Sequence, residues 1–600
     1  MAANNSLNLI DLDFDTLKTS LKTYLQGQAQ FKDYDFEGSN LSVLLDLLSY
    51  NTSKNAFYLN MVLSEAFMDS AQLRSSIVSH AKELNYTPTS RKSAKATITV
   101  DFSVAPEAAG SIYTIPKGSL FSTLVKSTSY AFSMPETLTI TSATANYTFT
   151  TDIYEGFYVK DTYLFLDNEE NQSFKITNKN IDTDSITVAV YEDSSEIPSI
   201  YTLTQTLLGI DNDSEVYFLQ GTGNGYYEIL FGDGVFGKKP KINSTIVIDY
   251  RTSSGTGPNG ASGFSLDFDP TGVGEMVDYT VTTVENASGG GLEQTVESIR
   301  KLAPRYFATQ QRAVSSDDYS ALVLSNFSGT ISDVAVYGGE TLEPKQYGRV
   351  ALALKPTNTD IAPDYLKSEV SSFLRKYIAI PNRVIITDPD YFYCRVDTTV
   401  QYDKTLTNKK PSELRSLVLD TITTYSDTNL ELFDADFRYS RFVNSIDNTD
   451  GSITSNDTTV YMIKRLIPTI NTPYFNTIDF NNELHPPRGS LFTEPVISST
   501  LFTYRDDASV DYPNSYLRDN GQGLLNVVSV INGQLTTIAT VGEIDHANGT
   551  LAINGLRVSS YSGYISLYAF LRSKDIIISK NKILNIEPSD VTISVIETLE

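Results

Sequence analysis

The chain has 600 residues, of which 40% are hydrophobic and 20% charged, and its 72 acidic and 46 basic side chains give a formal charge of −26. This length predicts about three to five domains, and the composition predicts that each has an apolar core and excludes a disordered chain. The negative charge repels phosphate backbones, so nucleic-acid binding is not expected. The sequence has neither an apolar run of about 18 residues nor a basic, signal-like start. We therefore expect that the protein is synthesised in a cytoplasm and does not insert into a membrane.

Residues 1–90 have helical periodicity and predict a helical N-terminal region. Ser39 or Asn40 can cap a helix whose apolar residues recur three and four positions apart, and a further apolar stripe ends before Pro88. Helices with such broad apolar faces need partners. They either pack on one another or join a bundle with another chain. The candidate bundle residues are Leu41, Leu44, Leu45, Leu48, Phe57, Met61, Leu73 and Ile77.

Residues 91–290 predict an antiparallel, sandwich-like β domain, because short strands are separated by Gly, Asn, Asp and Pro. The segment FGDGVFGKKP begins like a phosphate-binding loop, but Lys239 replaces the Ser or Thr that holds magnesium and no helix pattern follows. We predict instead a tight hairpin, in which glycines adopt positive φ, Asp233 bonds turn amides and phenylalanines anchor the ends. The residues assigned to this hairpin are Phe231, Gly232, Asp233, Gly234, Phe236, Gly237 and Pro240.

Residues 291–470 alternate between strand and helix patterns and predict a compact α+β module with one sheet covered by helices. One helix is expected to begin near Glu293. Ser315 or Ser316 can cap the next helix, with Asp318 in its first turn. The glycines that precede the module predict a hinge-like joint. This joint consists of Gly289, Gly290 and Gly291.

Residues 471–600 return to strand patterns and predict a C-terminal β-rich domain. Three Asn-Gly pairs separate alternating apolar runs, and Asn-Gly is a strong signal for a hairpin turn. These pairs are Asn532-Gly533, Asn548-Gly549 and Asn554-Gly555. The fold class expected for the whole chain is therefore multidomain α+β, with a helical bundle segment first and a β domain last.

Residues with catalytic chemistry are few and scattered. His80, His485 and His546 lie far apart and outside zinc-binding patterns, and Cys394 falls on the apolar face of a strand as a core thiol. The acidic stretch 33–40 lacks the closing Glu of a calcium loop. We predict no catalytic, cofactor-binding or metal site. Glycoside hydrolysis needs only two carboxylates and stays open, although the Trp residues that commonly stack sugars are absent.

Three segments together resemble a known family. They are SEAFMDSAQLRSSIVSHAKELNYTPTSR (64–91), FGDGVFGKKP (231–240) with Tyr250 after it, and SGGGLEQTVESIRKLAPRYFATQQRAVSSDDYSALV (288–323). The residues that carry the resemblance in the third segment are the three glycines, Glu293, Arg300, Arg312, Asp318 and Tyr319. These segments resemble the baseplate-J-like proteins of contractile phage tails, and the first one is most similar to the baseplate wedge protein of T-even-type myophages.

This resemblance implies a structural virion protein of the tail baseplate, without enzymatic activity. It implies a homodimer within each wedge and a ring of wedges around the tail tube. The expected partners are other baseplate wedge proteins and the sheath-initiating protein, and the N-terminal helices are expected to join a bundle with a long partner. Contraction would rearrange this assembly, and the glycine joint is a hypothetical pivot.

Two other functions remain open from the sequence. A tail adhesin or receptor-binding protein fits the β-rich, Tyr-rich composition, but adhesins usually form fibrous homotrimers with repeats, and this chain has no repeat of fixed period. A tail-associated polysaccharide-degrading enzyme is the third alternative. It would lose activity when one carboxylate pair is mutated.

Overall fold

The computed structural model describes most of the chain. The described residues are 13–31, 40–166, 172–192, 197–205, 209–342, 344–357, 359–379, 382–486, 495–531, 533–579 and 581–598. The chain divides into two compact units, one made of Met1–Ile331 with Ser372–Ala379 and the other of Ser332–Ser371 with Ile380–Glu600. N-terminal helices, several sheets and a β-rich C-terminal part confirm the multidomain α+β class. Among the described helices, none has the length and hydropathy to cross a membrane.

The first unit contains five α-helices, in the part of the chain that the structure describes. They are α1 (Phe14–Gln26), α2 (Asn40–Glu65), α3 (Arg74–Glu83), α4 (Val296–Thr309) and α5 (Ser316–Phe327). The Asp13 carboxylate caps α1 by accepting hydrogen bonds from the Thr16 amide and hydroxyl, at 2.9 and 2.6 Å. The Thr295 hydroxyl caps α4 in the same way, by accepting from the Ser298 amide.

The described residues of the first unit also form two large, mainly antiparallel sheets and one small sheet. Their strands are β1 (Lys95–Val104), β2 (Ile112–Ile115), β3 (Leu120–Val125), β4 (Thr128–Ser133), β5 (Leu138–Thr141), β6 (Asn146–Glu155), β7 (Tyr158–Leu164), β8 (Ser173–Lys175), β9 (Ile181–Tyr191), β10 (Ser199–Leu203), β11 (Val216–Gly221), β12 (Tyr227–Phe231), β13 (Thr245–Thr252), β14 (Ser265–Leu266) and β15 (Met276–Ser288). The six-stranded sheet has the order β14-β3-β4-β6-β1-β15, the seven-stranded sheet has the order β7-β13-β9-β10-β11-β12-β8, and β2 pairs with β5.

Each large sheet has its own apolar core. In β1, alternate residues such as Ile98, Val100 and Phe102 are buried, as the period of a half-buried strand requires. In the seven-stranded sheet, Val188 and Ile248 lie in a second, separate cluster. The single sandwich-like domain predicted for 91–290 is therefore two sheets with two cores, because strand patterns locate strands without assigning them to a sheet.

The FGDG segment is a loop and not the predicted hairpin. It joins β12 to β13, but in the described sheet β12 lies between β11 and β8, while β13 lies between β7 and β9. The loop still contains a tight local turn, closed by a 3.1 Å hydrogen bond from the Gly234 amide to the Gly237 carbonyl. The glycine spacing predicted the turn, but the pairing of the flanking strands depends on distant residues.

The second unit combines three α-helices with two sheets in its described residues. The helices are α6 (Asp364–Leu374), whose residues from Ser372 onward are assigned to the first unit, α7 (Pro411–Asn429) and α8 (Tyr439–Asp447). The strands are β16 (Ile331–Gly338), β17 (Arg349–Pro356), β18 (Arg383–Thr387), β19 (Asp390–Tyr402), β20 (Ile453–Leu466), β21 (Tyr474–Asp479), β22 (Ile497–Ser499), β23 (Phe502–Arg505), β24 (Asp511–Asp519), β25 (Leu524–Ile531), β26 (Gln534–Asp545), β27 (Thr550–Leu556), β28 (Val558–Ser560), β29 (Ile565–Ala569), β30 (Lys582–Asn585) and β31 (Val591–Glu597). Short 3-10 helical turns occur in both units, at Ala29–Phe31, Pro106–Ala108, Gly339–Thr341, Lys404–Leu406 and Pro588–Asp590.

A thirteen-stranded sheet organises the second unit, beside the small sheet β16-β17-β18. Its main order is β21-β27-β26-β25-β24-β22-β29-β20-β19-β30, and β31 pairs in parallel with β19. Cys394 on β19 and Val418 on α7 belong to the same buried cluster. Because this sheet contains strands from both 390–466 and 474–597, the boundary predicted at residue 470 falls inside one sheet.

The Asn-Gly pairs have different outcomes. Asn548-Gly549 connects β26 to β27, which pair with each other, as a hairpin requires. Asn554-Gly555 instead lies within β27, where the register with β21 shifts between Tyr474 and Phe475. A glycine inside a strand commonly marks such an irregularity. Asn532 lies outside the described residues.

Candidate functional site

The helix α2 exposes large apolar side chains along most of its length. Ten of them are between 40% and 69% exposed. They are Val43, Leu44, Leu47, Leu48, Tyr50, Phe57, Tyr58, Leu59, Met61 and Val62. A helix that is apolar over so wide an arc is normally covered on all sides. We call these ten residues the α2 surface.

The buried side of α2 is made of smaller or more polar residues. Its buried residues are Leu45, Ser49, Ala56, Asn60 and Ser64. Small side chains let a neighbouring helix approach closely, and α1 packs against α2. The helix thus turns its small residues inward and its large apolar residues outward, the reverse of an ordinary surface helix.

The spacing of the α2 surface suits helix–helix packing. Leu44, Leu47 and Leu48 lie three and four residues apart on one face. Two heptads further along, Tyr58, Met61 and Val62 repeat this spacing. A repeat of this kind places knobs in register for a second helix.

The predicted bundle residues divide into two groups. Leu44, Leu48, Phe57, Met61 and Leu73 are exposed. The others are covered by their own chain, since Leu45 is 3% and Ile77 0% exposed and Leu41 is half-buried.

Arg300 anchors the end of the helical region to α4. Its Nε donates a 3.0 Å hydrogen bond to the Met68 carbonyl, and its guanidinium also bonds the Ala71 carbonyl and the Glu297 carboxylate. Both carbonyls lie in the loop between α2 and α3. Charged donors bound to backbone carbonyls form strong hydrogen bonds, so this arginine fixes the loop on α4.

Sequence reasoning missed a second contact, made by a residue just before α4. Gln294 is buried, and its side-chain amide exchanges hydrogen bonds of 2.8 and 3.0 Å with the Tyr86 hydroxyl. The backbone carbonyl of Gln294 accepts a 2.7 Å hydrogen bond from the Arg74 guanidinium. Burial raises the pKa of Tyr86, which keeps this hydroxyl protonated as a donor. Glu293, which precedes Gln294 and was among the predicted motif residues, is exposed.

Three family models match this chain. The helical domain of gp6-like baseplate wedge proteins matches residues 13–86, which contain α1, α2 and α3. C-terminal domains I and III of the baseplate structural protein gp6 match residues 315–385 and 390–465. The baseplate wedge protein gp6 of Enterobacteria phage T4 is 28% identical over 537 residues, covering 84% of this chain and 77% of that protein.

The chain is therefore similar, along most of its length, to the gp6-like baseplate wedge proteins. It is thus a structural protein of the contractile phage tail baseplate, and a virion component. The wedge resemblance inferred from the sequence is confirmed in this form, while the baseplate-J-like label stays a prediction.

Two solved baseplate structures are also similar to this gp6-like chain. One is the anti-feeding prophage baseplate, at 12% identity and a TM-score of 0.31, covering 76% of this chain and 95% of that one. The other is the TssK-TssF-TssG baseplate subcomplex of the type VI secretion system, at 9% identity and a TM-score of 0.29, covering 58% and 96%. At TM-scores this low, neither likeness defines a shared fold.

The glycine joint of this gp6-like chain is tightly packed. A Cβ on Gly290 would lie 2.3 Å from the Gly255 carbonyl oxygen, and one on Gly291 would lie 2.5 Å from that of Gly329. Gly291 also forms a two-way backbone bridge with Lys92, at 3.0 and 3.1 Å. These glycines permit close approach of backbones, and with Gly289 they lie inside the first compact unit. The packing argues against the predicted pivot.

The FGDG loop is held both by its own residues and by segment 211–215, since the Gly237 amide donates a 2.9 Å hydrogen bond to the Asp211 carbonyl. The Asp233 carboxylate accepts 2.8 Å hydrogen bonds from the amides of Phe236 and Val235, which lower its pKa. A Cβ on Gly232 would lie 2.3 Å from the Gly237 backbone, so the loop needs glycine there. Gly234 and Gly237 have positive φ, as predicted, whereas Gly232 does not and is needed there for space alone.

The aromatic residues around this loop have unequal roles. Phe231 packs against Tyr201 and Phe174, with ring centroids 5.2 and 5.7 Å apart, as the predicted anchor. Phe236 is 47% exposed and anchors nothing within the described chain. Pro240 is buried, and Tyr250 is fully buried with its hydroxyl 3.2 Å from the Asp161 carboxylate.

The remaining motif residues form the start of α5. The Ser315 hydroxyl accepts from the Asp318 amide, and the Asp318 carboxylate accepts from the Ser315 amide at 2.8 Å, completing a capping box. Tyr319 is 1% exposed and belongs to the core. Arg312 is exposed nearby, and its charge helps to lower the pKa of Asp318.

Reactive groups are sparse among the described residues. Burial raises the pKa of the Cys394 thiol to about 12, which leaves it protonated and unreactive. The residues that the structure describes include no cluster of three or more His, Cys, Asp or Glu suited to a metal ion. The α2 surface offers burial of apolar side chains against another helix.

Proposed function

We propose that this chain works as a wedge subunit that buries the α2 surface in a helical bundle with a longer partner protein. The proposal extends to pairing with a second copy of itself and to linking neighbouring wedges into a ring around the tail tube. The observation that carries it is the reversed polarity of α2, whose large apolar residues face solvent while Ser49, Asn60 and Ser64 are buried.

The energetics favour a permanent contact. Burying one large apolar side chain contributes about 1.5–3 kcal/mol. Covering most of the ten residues would contribute on the order of 10 kcal/mol before the costs of association. A single monomer rarely exposes so large a contiguous apolar area.

Other parts of the proposal rest on the family resemblance. The subunit would hold further wedge proteins and join the sheath-initiating protein. During contraction some interfaces would persist while others move. The chain would act by binding other baseplate proteins, without catalysis. The tight contacts of Arg300 and Gln294 support a helical region that transmits force to the rest of the first unit.

The test replaces two residues of the α2 surface. Leu44→Glu with Leu48→Glu places charges on the proposed contact, and Leu124→Glu is a matched control, since Leu124 is a 71% exposed leucine outside the helices. Each full-length variant is co-expressed with the neighbouring tail genes and purified by a tag on this chain. We expect the double variant to lose its partners and the control to keep them, because a charge is costly in an apolar interface.

Unfolding curves of the purified variants separate this result from misfolding. The double variant should match the wild-type protein, since both leucines are more than half exposed. Normal recovery of partners by the double variant would contradict the proposal.

A further inference from the structure

A cavity of about 470 Å³ opens on the second unit, on the face of the large sheet opposite its apolar core. Four adjacent strands form its floor. Arg395 on β19 pairs with Tyr461 on β20, and Tyr568 on β29 pairs with Ser498 on β22. Because Cys394 and its alternate neighbours on β19 face the core, Arg395 points to the outer face.

Aromatic rings line this cavity as a continuous ladder. The Tyr461 ring lies 5.4 Å from the Phe570 ring, and the Phe570 ring lies 5.2 Å from the His485 ring and is stacked with it. At the other end, the Arg395 guanidinium lies 5.9 Å from the Tyr461 ring and 5.6 Å from the Tyr568 ring. The ladder offers flat, apolar ring faces next to a charged group.

The charged group is a neutralised pair. Arg395 and Asp397 point to the same face and form a two-point ion pair at 3.1 and 3.2 Å. Their side chains are 41% and 32% exposed, so both remain accessible. The pair presents donors and acceptors side by side with little net charge, and the Ser498 and Ser499 hydroxyls line the same cavity.

We propose that this cavity binds a neutral carbohydrate. A sugar ring has an apolar face of C–H groups that stacks on aromatic rings, and neighbouring hydroxyls that both donate and accept hydrogen bonds. Tyr461 and Tyr568 would supply the stacking faces, and the Arg395–Asp397 pair would bind two adjacent hydroxyls. This activity goes beyond the wedge function and does not depend on it.

The geometry favours a sugar over a peptide. Extended peptides are commonly bound through the free edge of a strand, whereas the floor strands here are paired within the sheet. It also favours binding without cleavage. Asp397 is the one carboxylate among the described lining residues, and glycoside hydrolysis ordinarily uses two.

The experiment measures binding of a panel of soluble neutral oligosaccharides, made of glucose, galactose, mannose or N-acetylglucosamine, to the full-length protein. Saturation-transfer NMR detects the bound sugar, and a titration gives its affinity. We expect saturable binding that Tyr568→Ala weakens by about tenfold or more, through loss of one stacking face. Tyr347→Ala is the matched control, because Tyr347 is 75% exposed and lies in the same unit.

A second variant guards against a folding defect. Ser498→Trp keeps the ladder and fills the cavity, so it should abolish binding while thermal unfolding stays close to wild type. Binding that is unchanged in both variants, or no saturable binding at millimolar oligosaccharide, would overturn the proposal. So would binding of a proline-rich peptide that depends on Tyr568 in the absence of sugar binding.

Discussion

At the scale of single residues, the capping box of α5 predicts a measurable loss of stability. Asp318→Ala removes the acceptor of the Ser315 and Val314 amides. We expect the free energy of unfolding of the first unit to fall by about 1 kcal/mol in urea titrations at neutral pH. Asp317→Ala, an exposed residue of the same helical turn, should cost less than half of this.

The same comparison has a defined pH dependence. Burial of Asp318 opposes its ionisation, but the amide hydrogen bonds from Ser315 and Val314 outweigh burial and lower its pKa. The stabilisation is therefore fully present above the unfolded-state pKa of about 4 and disappears as pH falls through the lower folded-state pKa. A difference between wild type and Asp318→Ala that grew on acidification would contradict this account.

Glycine packing gives a second prediction for single residues. Gly291→Ala places a Cβ against the Gly329 backbone, which cannot move aside as a flexible side chain can. We expect a loss of about 1–3 kcal/mol in the free energy of unfolding. Gly451→Ala is the control, since a Cβ there meets no atom within 4 Å. A freely rotating joint would instead tolerate both substitutions equally.

The sequence predicts single residues well where their partners are local. Ser315 and Asp318 are three positions apart, so their spacing alone indicates a capping box. Gln294 was missed because its partner Tyr86 lies 208 positions away. No local pattern marks such a pair. The charged neighbour Glu293, which is exposed, was selected from the sequence instead of the uncharged Gln294.

At the scale of elements, Arg300 predicts how the helical region is attached. Arg300→Ala removes the hydrogen bonds to the Met68 and Ala71 carbonyls. We expect faster amide hydrogen exchange in α3 and the loop before it, with exchange in β1 unchanged, because only the local attachment is weakened. Arg300→Lys keeps the charge but cannot bond both carbonyls in the same way, so its exchange rates should lie between those of the wild type and Arg300→Ala. Equal exchange in all three proteins would contradict the anchoring role.

Helices were easier to predict than strand pairing. The cap at Ser315 and Pro411 at the start of α7 follow from local rules. The FGDG turn was predicted, but its strands pair elsewhere, and Asn554-Gly555 lies inside β27. Which strands pair depends on side-chain packing between segments that are far apart in sequence. A local turn signal carries no information about that packing.

At the scale of the whole molecule, the boundaries of the compact units do not coincide with the changes in sequence pattern. The change in pattern near residue 290 lies within the first compact unit, which extends to Ile331, and residue 470 lies between strands of one large sheet. The apolar excess of residues 40–65 was visible in the sequence. The side of α2 that faces solvent was not, because it depends on which small residues the chain buries.

We propose above that this chain assembles through the α2 surface as a wedge subunit. Size-exclusion chromatography with light scattering tests it most directly, on the full-length protein alone and co-expressed with its neighbouring tail genes. We expect a mass of twice the 66.3 kDa chain for the protein alone, and one larger complex that contains a partner after co-expression. A homotrimer that binds none of the co-expressed tail proteins would rule out the wedge assembly and favour an adhesin.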